Sequence, residues 1–329
     1  MDGMRKCLIT GAAGFIGHHV LAYLLERTDW QFTLLDRLDF SGNLNRLHEL
    51  DIDLGRVTFQ FHDLRAPIND QLASQIGAHD YIIHMAASTH VDRSLSDPML
   101  FVHDNVVATG NLLEFARKTG CDKFFNFSTD EVFGPAPEGT AHSEGEPYRP
   151  SNPYSATKAG AASLGYAWHV SFGVPVLTTY TMNNFGERQH PEKLIPRTIS
   201  CLMSGEEMPV FAMRTDGELK PVGQRYWLHA RNTASALYFL TQHGKPGEAY
   251  NIIGFDEWSN WDLIHYIAEI AGKPLRTKLV DYYGIRPGHD VRYALDGNKL
   301  AALGWRPELS FAESMRETVR FTMANKAWA

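Results

Sequence analysis

The chain has 329 residues, 44% of them hydrophobic and 21% charged, with a net charge of −7. That is enough apolar material for one large domain or two unequal ones. The acidic balance excludes a broad basic face for nucleic acid or an anionic membrane, while leaving room for a local basic pocket that takes a phosphorylated ligand.

The opening "MDGMRKCLIT" passes from a charged start straight into a strand-like run, so no secretory leader is expected. No apolar stretch reaches bilayer length. Short apolar runs follow in order: "KCLIT", "FTLLD", "VTFQF", "YIIHM", "KFFNF" and "VPVLTTY". Continuous apolar runs indicate strands buried on both faces, as in a parallel sheet. Between them lie helical segments such as "HHVLAYLLER" and "DNVVATGNLLEFARK". The alternation predicts an α/β doubly wound (Rossmann) domain over residues 1–185. After residue 186 it weakens. "AMRTDGELKPVGQ" is polar and turn-rich and predicts an exposed hairpin or loop. Residues 225–252, with "RNTASALYFLTQ" and "YNIIG", are expected to return to the sheet domain. Residues 186–224 and 253–329 then form a smaller mixed α/β substrate-binding lobe. Cys7, Cys121 and Cys201 are far apart and odd in number, which predicts reduced thiols in a cytoplasm.

The first strand runs into "ITGAAGFIGHHV", with Gly11, Gly14, Phe15, Ile16 and Gly17 at the turn into a helix. Glycines there permit the tight turn, let the backbone approach a pyrophosphate and leave helix N–H groups aimed at the anion. The second strand ends at Asp36, where a carboxylate can accept hydrogen bonds from both ribose hydroxyls and so favours NAD. Arg37, next along, is a basic neighbour of the kind that serves a 2′-phosphate. Asp63 and Leu64, after the third strand, are placed to meet the adenine.

"SNPYSATKAG" sets Tyr154 and Lys158 four residues apart, behind Pro153 in the first turn of a helix capped by Asn152 or Ser151. One face carries both. A neighbouring ammonium and a nicotinamide cation each lower a phenol pKa, which lets the tyrosine act as a base. "NFSTDEVFG" ends a strand in Thr129, Asp130 and Glu131. Two adjacent carboxylates there face either water or a substrate; an Asp-Glu helix cap is the plainer alternative.

These motifs together resemble the extended short-chain dehydrogenase/reductase superfamily and, within it, the nucleoside-diphosphate-glucose 4,6-dehydratases. "AASTHVDRS", "NNFGERQHPEKLIP" and "RPGHDVRYALD" are similar to that family's further segments, so the likeness spans nearly the whole chain. The resemblance implies an NAD-dependent lyase. The tyrosine matching Tyr154, with NAD, oxidises the sugar at C4. The glutamate matching Glu131 removes the C5 proton, and the aspartic acid matching Asp130 protonates the departing C6 hydroxyl. The threonine matching Thr129 hydrogen-bonds near O4. It further implies Ala86 and Ala87 at the cofactor. Thr89, Asn184, Lys193, Leu194, Arg225, Asn251, Arg286 and His289 are implied at the sugar nucleotide, with dTDP-glucose the favoured substrate. Three departures bear on the nucleotide: Arg225-Tyr226-Trp227 for Arg-Asp-Trp, Ala230-Arg231-Asn232 for Val-Glu-Asp, and Ser88-Thr89 for Glu-Ser. A UDP-sugar dehydratase, a 4-epimerase or decarboxylase, and a silent NAD-binding protein remain as alternatives.

None of the 15 histidines stands at a metal-ligand spacing, and none is assigned to a metal. His18 and His19 are expected to point apart. Helices near 105–118 and 154–171 keep small and apolar faces, and the resemblance implies a homodimer through them, with internal packing as the alternative.

Overall fold

The structure, a computed structural model, describes residues 4–50, 54–254, 256–281 and 290–328. Thirteen strands occur among the described residues: β1 Lys6–Thr10, β2 Gln31–Asp36, β3 Val57–Phe61, β4 Tyr81–His84, β5 Lys123–Thr129, β6 Val176–Thr181, β7 Asn183–Phe185, β8 Met208–Thr215, β9 Glu218–Pro221, β10 Gln224–His229, β11 Ala249–Ile252, β12 Glu257–Ser259 and β13 Thr277–Asp281. Seven of them form one parallel sheet in the order β11-β6-β5-β4-β1-β2-β3. The apolar runs read from the sequence coincide with its first six strands.

Each face of the sheet is covered by helices, which is why its central strands are buried beyond their first residues. On one side Phe15–Arg27 packs against Ala230–His243, over a core that includes Ile9, Leu21, Leu24, Phe125 and Leu237. On the other lie Ala108–Thr119 and Pro153–Phe172, over Leu8, Ile82, Leu112 and Phe124. Strand order reverses beside β1, between β4 and β2, and such a switch point opens a crevice beyond the strand C-termini.

The Pro153–Phe172 helix carries both ends of its own stop-and-start chemistry. Asn152 Oδ1 accepts the Ser155 N–H at 2.9 Å, while Ser155 Oγ accepts the Asn152 N–H at 3.2 Å, a capping box with Pro153 behind it. Gly173, at φ +71°, ends it in the left-handed region. This anchoring fixes where Tyr154 and Lys158 stand.

Two small sheets complete the chain: β12-β10-β7, and β13-β8-β9. β8 and β9 form the hairpin anticipated for the "RTDG" stretch, and Asp216 (φ +53°) with Gly217 (φ +82°) gives the paired positive-φ turn that tight hairpins need. Their lobe closes on Phe185, Ile195, Ile199, Trp227, Leu263, Met315 and Val319. The 225–252 stretch divides: β10 pairs with β7, whereas β11 pairs with β6 at the edge of the main sheet. No helix of the described residues is long and apolar enough to cross a membrane.

Candidate active site

A cleft of about 360 Å³ runs along the C-terminal ends of the main-sheet strands, from Asp36 and Asp63 at one end to Tyr154, Asn184 and Lys193 at the other. Its floor is the glycine turn. Gly11 sits at φ +72°, and a Cβ there would stand 2.8 Å from the Ala86 backbone. A Cβ on Gly17 would meet the Gly11 carbonyl oxygen at 2.2 Å. Gly14 caps the following helix without a side-chain bond, and Phe15 and Ile16 in its first turn line the cleft. A helix start without a capping side chain is suited to an anion.

Asp36 closes β2 and folds the chain around itself. Its Oδ2 accepts the Ala13 N–H at 3.1 Å and its Oδ1 the Leu38 N–H at 2.9 Å. Burial raises its pKa, opposed by those two bonds. Arg37 turns into a carboxylate cage: Nη1 and Nη2 donate to Asp104 at 2.6 and 2.7 Å, and Nε and Nη2 to Asp39 at 3.2 and 2.8 Å. Asp63, Leu64, Ala86, Ala87 and Thr89 also line the cleft.

At the far end β5 delivers Thr129, and a short 3₁₀ turn, Asp130–Phe133, delivers the two acids. The Thr129 hydroxyl donates to Asp130 Oδ1 at 3.0 Å, while Asp130 Oδ2 is buried with no partner among the described residues. Burial, and then the neighbouring Glu131, push the Asp130 pKa up to about 7. Glu131 is half-buried, and its Oε2 accepts from Asn152 Nδ2 and from the Tyr293 hydroxyl, each at 3.4 Å. Its pKa is also raised by burial, opposed by Arg225, Asn152 and Lys193. The adjacent acids therefore differ in kind: one has a bare oxygen, the other is braced by two donors.

Tyr154 and Lys158 complete that end. Lys158 Nζ donates to the Phe127 carbonyl at 2.6 Å, and burial brings its pKa down to about 8. Burial and Glu131 hold the Tyr154 phenol above its ordinary value, opposed by a Thr129 hydrogen bond.

The remaining sequence candidates divide. Asn184, Lys193 and Leu194 line the cleft, but the Asn184 amide is also bonded to Thr181, Met182 and Thr233. Arg225 stands apart: its guanidinium is bonded to the carbonyls of Gln224, Asp290 and Val291 and lies over the Tyr293 ring at 4.6 Å. Asn251 is buried at the sheet edge, with Nδ2 bonded to the His142 and Asp296 carbonyls. Arg286 and His289 lie outside the described residues.

Sequence reasoning did not single out Arg46 or Asp104. Arg46 Nη1 reaches the Ala13 and Ser41 carbonyls, fastening the glycine turn to the loop after β2. Asp104 is only 4% exposed. A signal existed: Asp104, Ala108 and Leu112 recur every four residues, which puts an acid in phase with a buried apolar face. Spacing was also a poor guide to the histidines. His90, His190 and Glu192 converge with ligand atoms within 4.8 Å of one another, though Arg93 Nη2 claims Glu192 at 3.1 Å. His18 and His19 do not point apart; their ring centroids are 4.1 Å from each other. His18 turns back to the Gly14 carbonyl, and His19 to that of Glu187.

This chain is 36% identical to the dTDP-glucose 4,6-dehydratase of Salmonella typhimurium, covering 98% of this chain and 94% of the relative. It is 38% identical to that of Streptomyces niveus, with the same coverage. Among solved structures it superimposes on the dTDP-glucose 4,6-dehydratase of Streptomyces venezuelae with NAD and TYD bound, at a TM-score of 0.88, 35% identity and 98% coverage of both chains. It also matches the UDP-glucose 4-epimerase of Thermus thermophilus in complex with NAD, at 0.86 and 28% identity over 97% of this chain and 99% of the other. With the GDP-mannose 4,6 dehydratase model matching residues 8–318, the chain belongs to that family.

Proposed function

We propose that the protein is an NAD-dependent nucleotide-sugar 4,6-dehydratase, acting on an NDP-glucose with dTDP-glucose favoured. The observation that carries this reading is the unequal pair at the end of β5: Asp130, with a pKa near 7 and an oxygen that has no partner among the described residues, beside Glu131, braced by Asn152 and Tyr293. Elimination of water across C5 and C6 needs one group to take a proton and another to give one, and neighbouring carboxyls in different environments supply both. A 4-epimerase, which shares this scaffold, has no such step.

The residues present fit a bound nicotinamide dinucleotide. The glycine turn has no room for a Cβ, Asp36 closes β2 at the cleft, and the buried Tyr154 phenol is held up where a nearby cation would bring it down. When bound, NAD supplies the oxidant that takes hydride from C4 and the reductant that returns it to C6. Tyr154 takes the O4 proton in the first stage, with Thr129 orienting that oxygen and Lys158 adding positive charge below. The C4 ketone acidifies C5. Glu131 removes the C5 proton and returns it to C5 once C6 has been reduced, and Asp130 protonates O6 so that it leaves as water. Asn184, Lys193 and Leu194 hold the sugar nucleotide at the lobe side.

The test is incubation with dTDP-glucose, UDP-glucose and GDP-mannose in separate reactions, read by mass spectrometry and NMR. A 4-keto-6-deoxy product lighter by one water is expected, with no stoichiometric demand for added NAD. A C4 epimer of unchanged mass would replace this reading with the epimerase. We further propose a cytoplasmic homodimer. The free thiols of Cys7, Cys121 and Cys201 support the compartment. The exposed Tyr166, Val170 and Phe172 on the Pro153–Phe172 helix support the interface. Light scattering of Val170→Glu against the wild type measures it.

A further inference from the structure

The dinucleotide end of the cleft holds an arginine where the proposed cofactor has none to offer a charge to. In this fold the acid at the end of the second strand meets the ribose hydroxyls, and an arginine nearby is what accommodates a 2′-phosphate. Asp36 is followed directly by Arg37, and both line the cleft. Sequence alone therefore leaves cofactor choice divided between adjacent residues.

The geometry shows what occupies that arginine. Asp104 Oδ1 and Oδ2 accept from Nη1 and Nη2 in a two-bond fork, and Asp39 takes Nε and the other side of Nη2. Asp63 Oδ1 stands 3.6 Å from Nη1. A fork of this kind is the strong form of an ion pair, and with the Asp39 bonds it commits four of the five planar N–H donors. Asp104 is itself held in place. Ser88 Oγ donates to its Oδ2 at 2.6 Å, and the next residue, Asn105, makes two bonds with the Ser88 backbone, at 2.8 and 3.1 Å. These residues sit in a π-helical stretch, Val102–Val107, whose wider turn recurs at functional sites. On the opposite side Leu38 takes φ +56°, an uncommon conformation for leucine, fixed by its N–H bond to Asp36. Around this end of the cleft the carboxylates of Asp36, Asp39, Asp63 and Asp104 face the guanidiniums of Arg37, Arg46 and Arg65. A 2′-phosphate would meet four negative groups and three positive ones, with the best-placed positive one engaged.

We propose that Asp104 is a cofactor-specificity residue: by gripping Arg37 in a buried fork, it keeps from a 2′-phosphate the arginine that stands where such a phosphate would bind. This rests on the nicotinamide-dinucleotide reading above and extends it from Asp36, which repels the phosphate, to Asp104, which disarms its receptor. Asp104 reaches the cleft from the π-helical stretch Val102–Val107, so the selectivity is built from two separate parts of the chain.

The experiment is equilibrium dialysis of the full chain against NAD and NADP. The wild type is compared with Asp104→Asn, Asp39→Asn, and each of these combined with Arg37→Gln; melting curves check folding. The wild type should prefer NAD by about a hundredfold, and Asp104→Asn should tighten NADP about tenfold while NAD changes by less than about threefold. Asp39→Asn, which frees the other edge of the same guanidinium and leaves the buried acid in place, should tighten NADP about threefold and stands in if Asp104→Asn fails to fold. Adding Arg37→Gln should abolish either gain. An unchanged NADP-to-NAD ratio in a wild type and variants that bind NAD would overturn the assignment alone. A gain that survives Arg37→Gln would also overturn it, since relief of repulsion would then be the whole effect. A wild type that binds neither dinucleotide would overturn the functional reading and this assignment with it.

Discussion

The two ends of the cleft are built from the same materials and treated oppositely. At the β2 end every cleft acid besides Asp36 is matched to an arginine: Asp39 and Asp104 to Arg37, and Asp63 to Arg65. At the β5 end two acids stand side by side, held by a threonine, an asparagine and a tyrosine, and one oxygen of Asp130 has no partner among the described residues. Pairing lowers the pKa of Asp39 and Asp63, whereas burial raises those of Asp130 and Glu131. A paired carboxylate is a fixed charge suited to recognition. One left unpaired in a dry site is poised to exchange a proton. On the function proposed above, the strand ends divide binding from chemistry by what they place opposite an acid.

The largest break in that contrast comes from the chemical end. Tyr154→Phe should lower kcat by about 10²–10⁴-fold while NAD still binds, because it removes one proton acceptor and leaves the cofactor end intact. Single-turnover absorbance of the reduced cofactor checks the first half and dialysis the second. Asp130→Asn should then separate function from stability. Activity should fall at the water-loss step, so reduced cofactor and a 4-keto hexose accumulate; stopped-flow absorbance reads this. Stability should rise. The folded pKa, about 7, lies above the ordinary 3.8, so the folded state binds the proton more tightly than the unfolded chain. That contribution is fully present below about pH 4 and lost as pH climbs through 7. At pH 8 the wild type buries an unpaired charge that Asp130→Asn does not, and the variant should be more stable by on the order of 2–4 kcal/mol. The gain should shrink towards zero by pH 4, as measured by urea denaturation at both pH values. The same titration predicts that the wild-type elimination rate falls as pH rises through 7, while Asp130→Asn loses that limb.

How much of this was legible in the sequence follows the range of the forces involved. The strands were legible because parallel strands buried on both faces leave continuous apolar runs, and β1 to β6 each match one. The glycine turn was legible because Gly11 and Gly17 answer a local demand, close backbone approach, that other residues cannot meet. The juxtaposed acids and the Tyr154–Lys158 spacing were legible because each depends on a single element. What was not legible depends on pairs distant in sequence. Arg37 and Asp104 are 67 residues apart, so nothing near Arg37 announces that its charge is spoken for. Arg225 reads as a phosphate arginine, and nothing near it in sequence announces that its guanidinium bonds the carbonyls of Asp290 and Val291. Helix spacing alone could not foresee that His18 turns back towards Gly14 and brings its ring beside that of His19.

The recognition end should answer mutation with the opposite sign. Asp104→Asn removes one charge of a buried pair and leaves Arg37 partly uncompensated, so it should destabilise the fold by about 1–3 kcal/mol at pH 7. Urea denaturation beside Asp130→Asn reads the two signs in one experiment. Equal signs would mean that the contrast between paired and unpaired acids does not govern their energetics.

The smallest expected effect sharpens the contrast within the paired end itself. Asp63 and Arg65 are also matched, Nε to Oδ2 at 2.8 Å, yet their side chains are 30% and 44% exposed where the Asp104 side chain is 2% exposed. Water already solvates both partners of the outer pair, and holding the long arginine in one rotamer cancels much of the Coulomb gain. Asp63→Asn should therefore cost no more than about 1 kcal/mol. Salt distinguishes the two pairs further. The Debye length shrinks from about 10 Å at 0.1 M to about 3 Å at 1 M, so an exposed pair is screened and a buried one much less so. In 1 M sodium chloride the cost of Asp63→Asn should vanish while that of Asp104→Asn persists, both read as shifts in the urea midpoint at fixed pH. If both costs vanished together, water would be reaching Asp104, and its fork with Arg37 would be too weak to hold that arginine back from a phosphate.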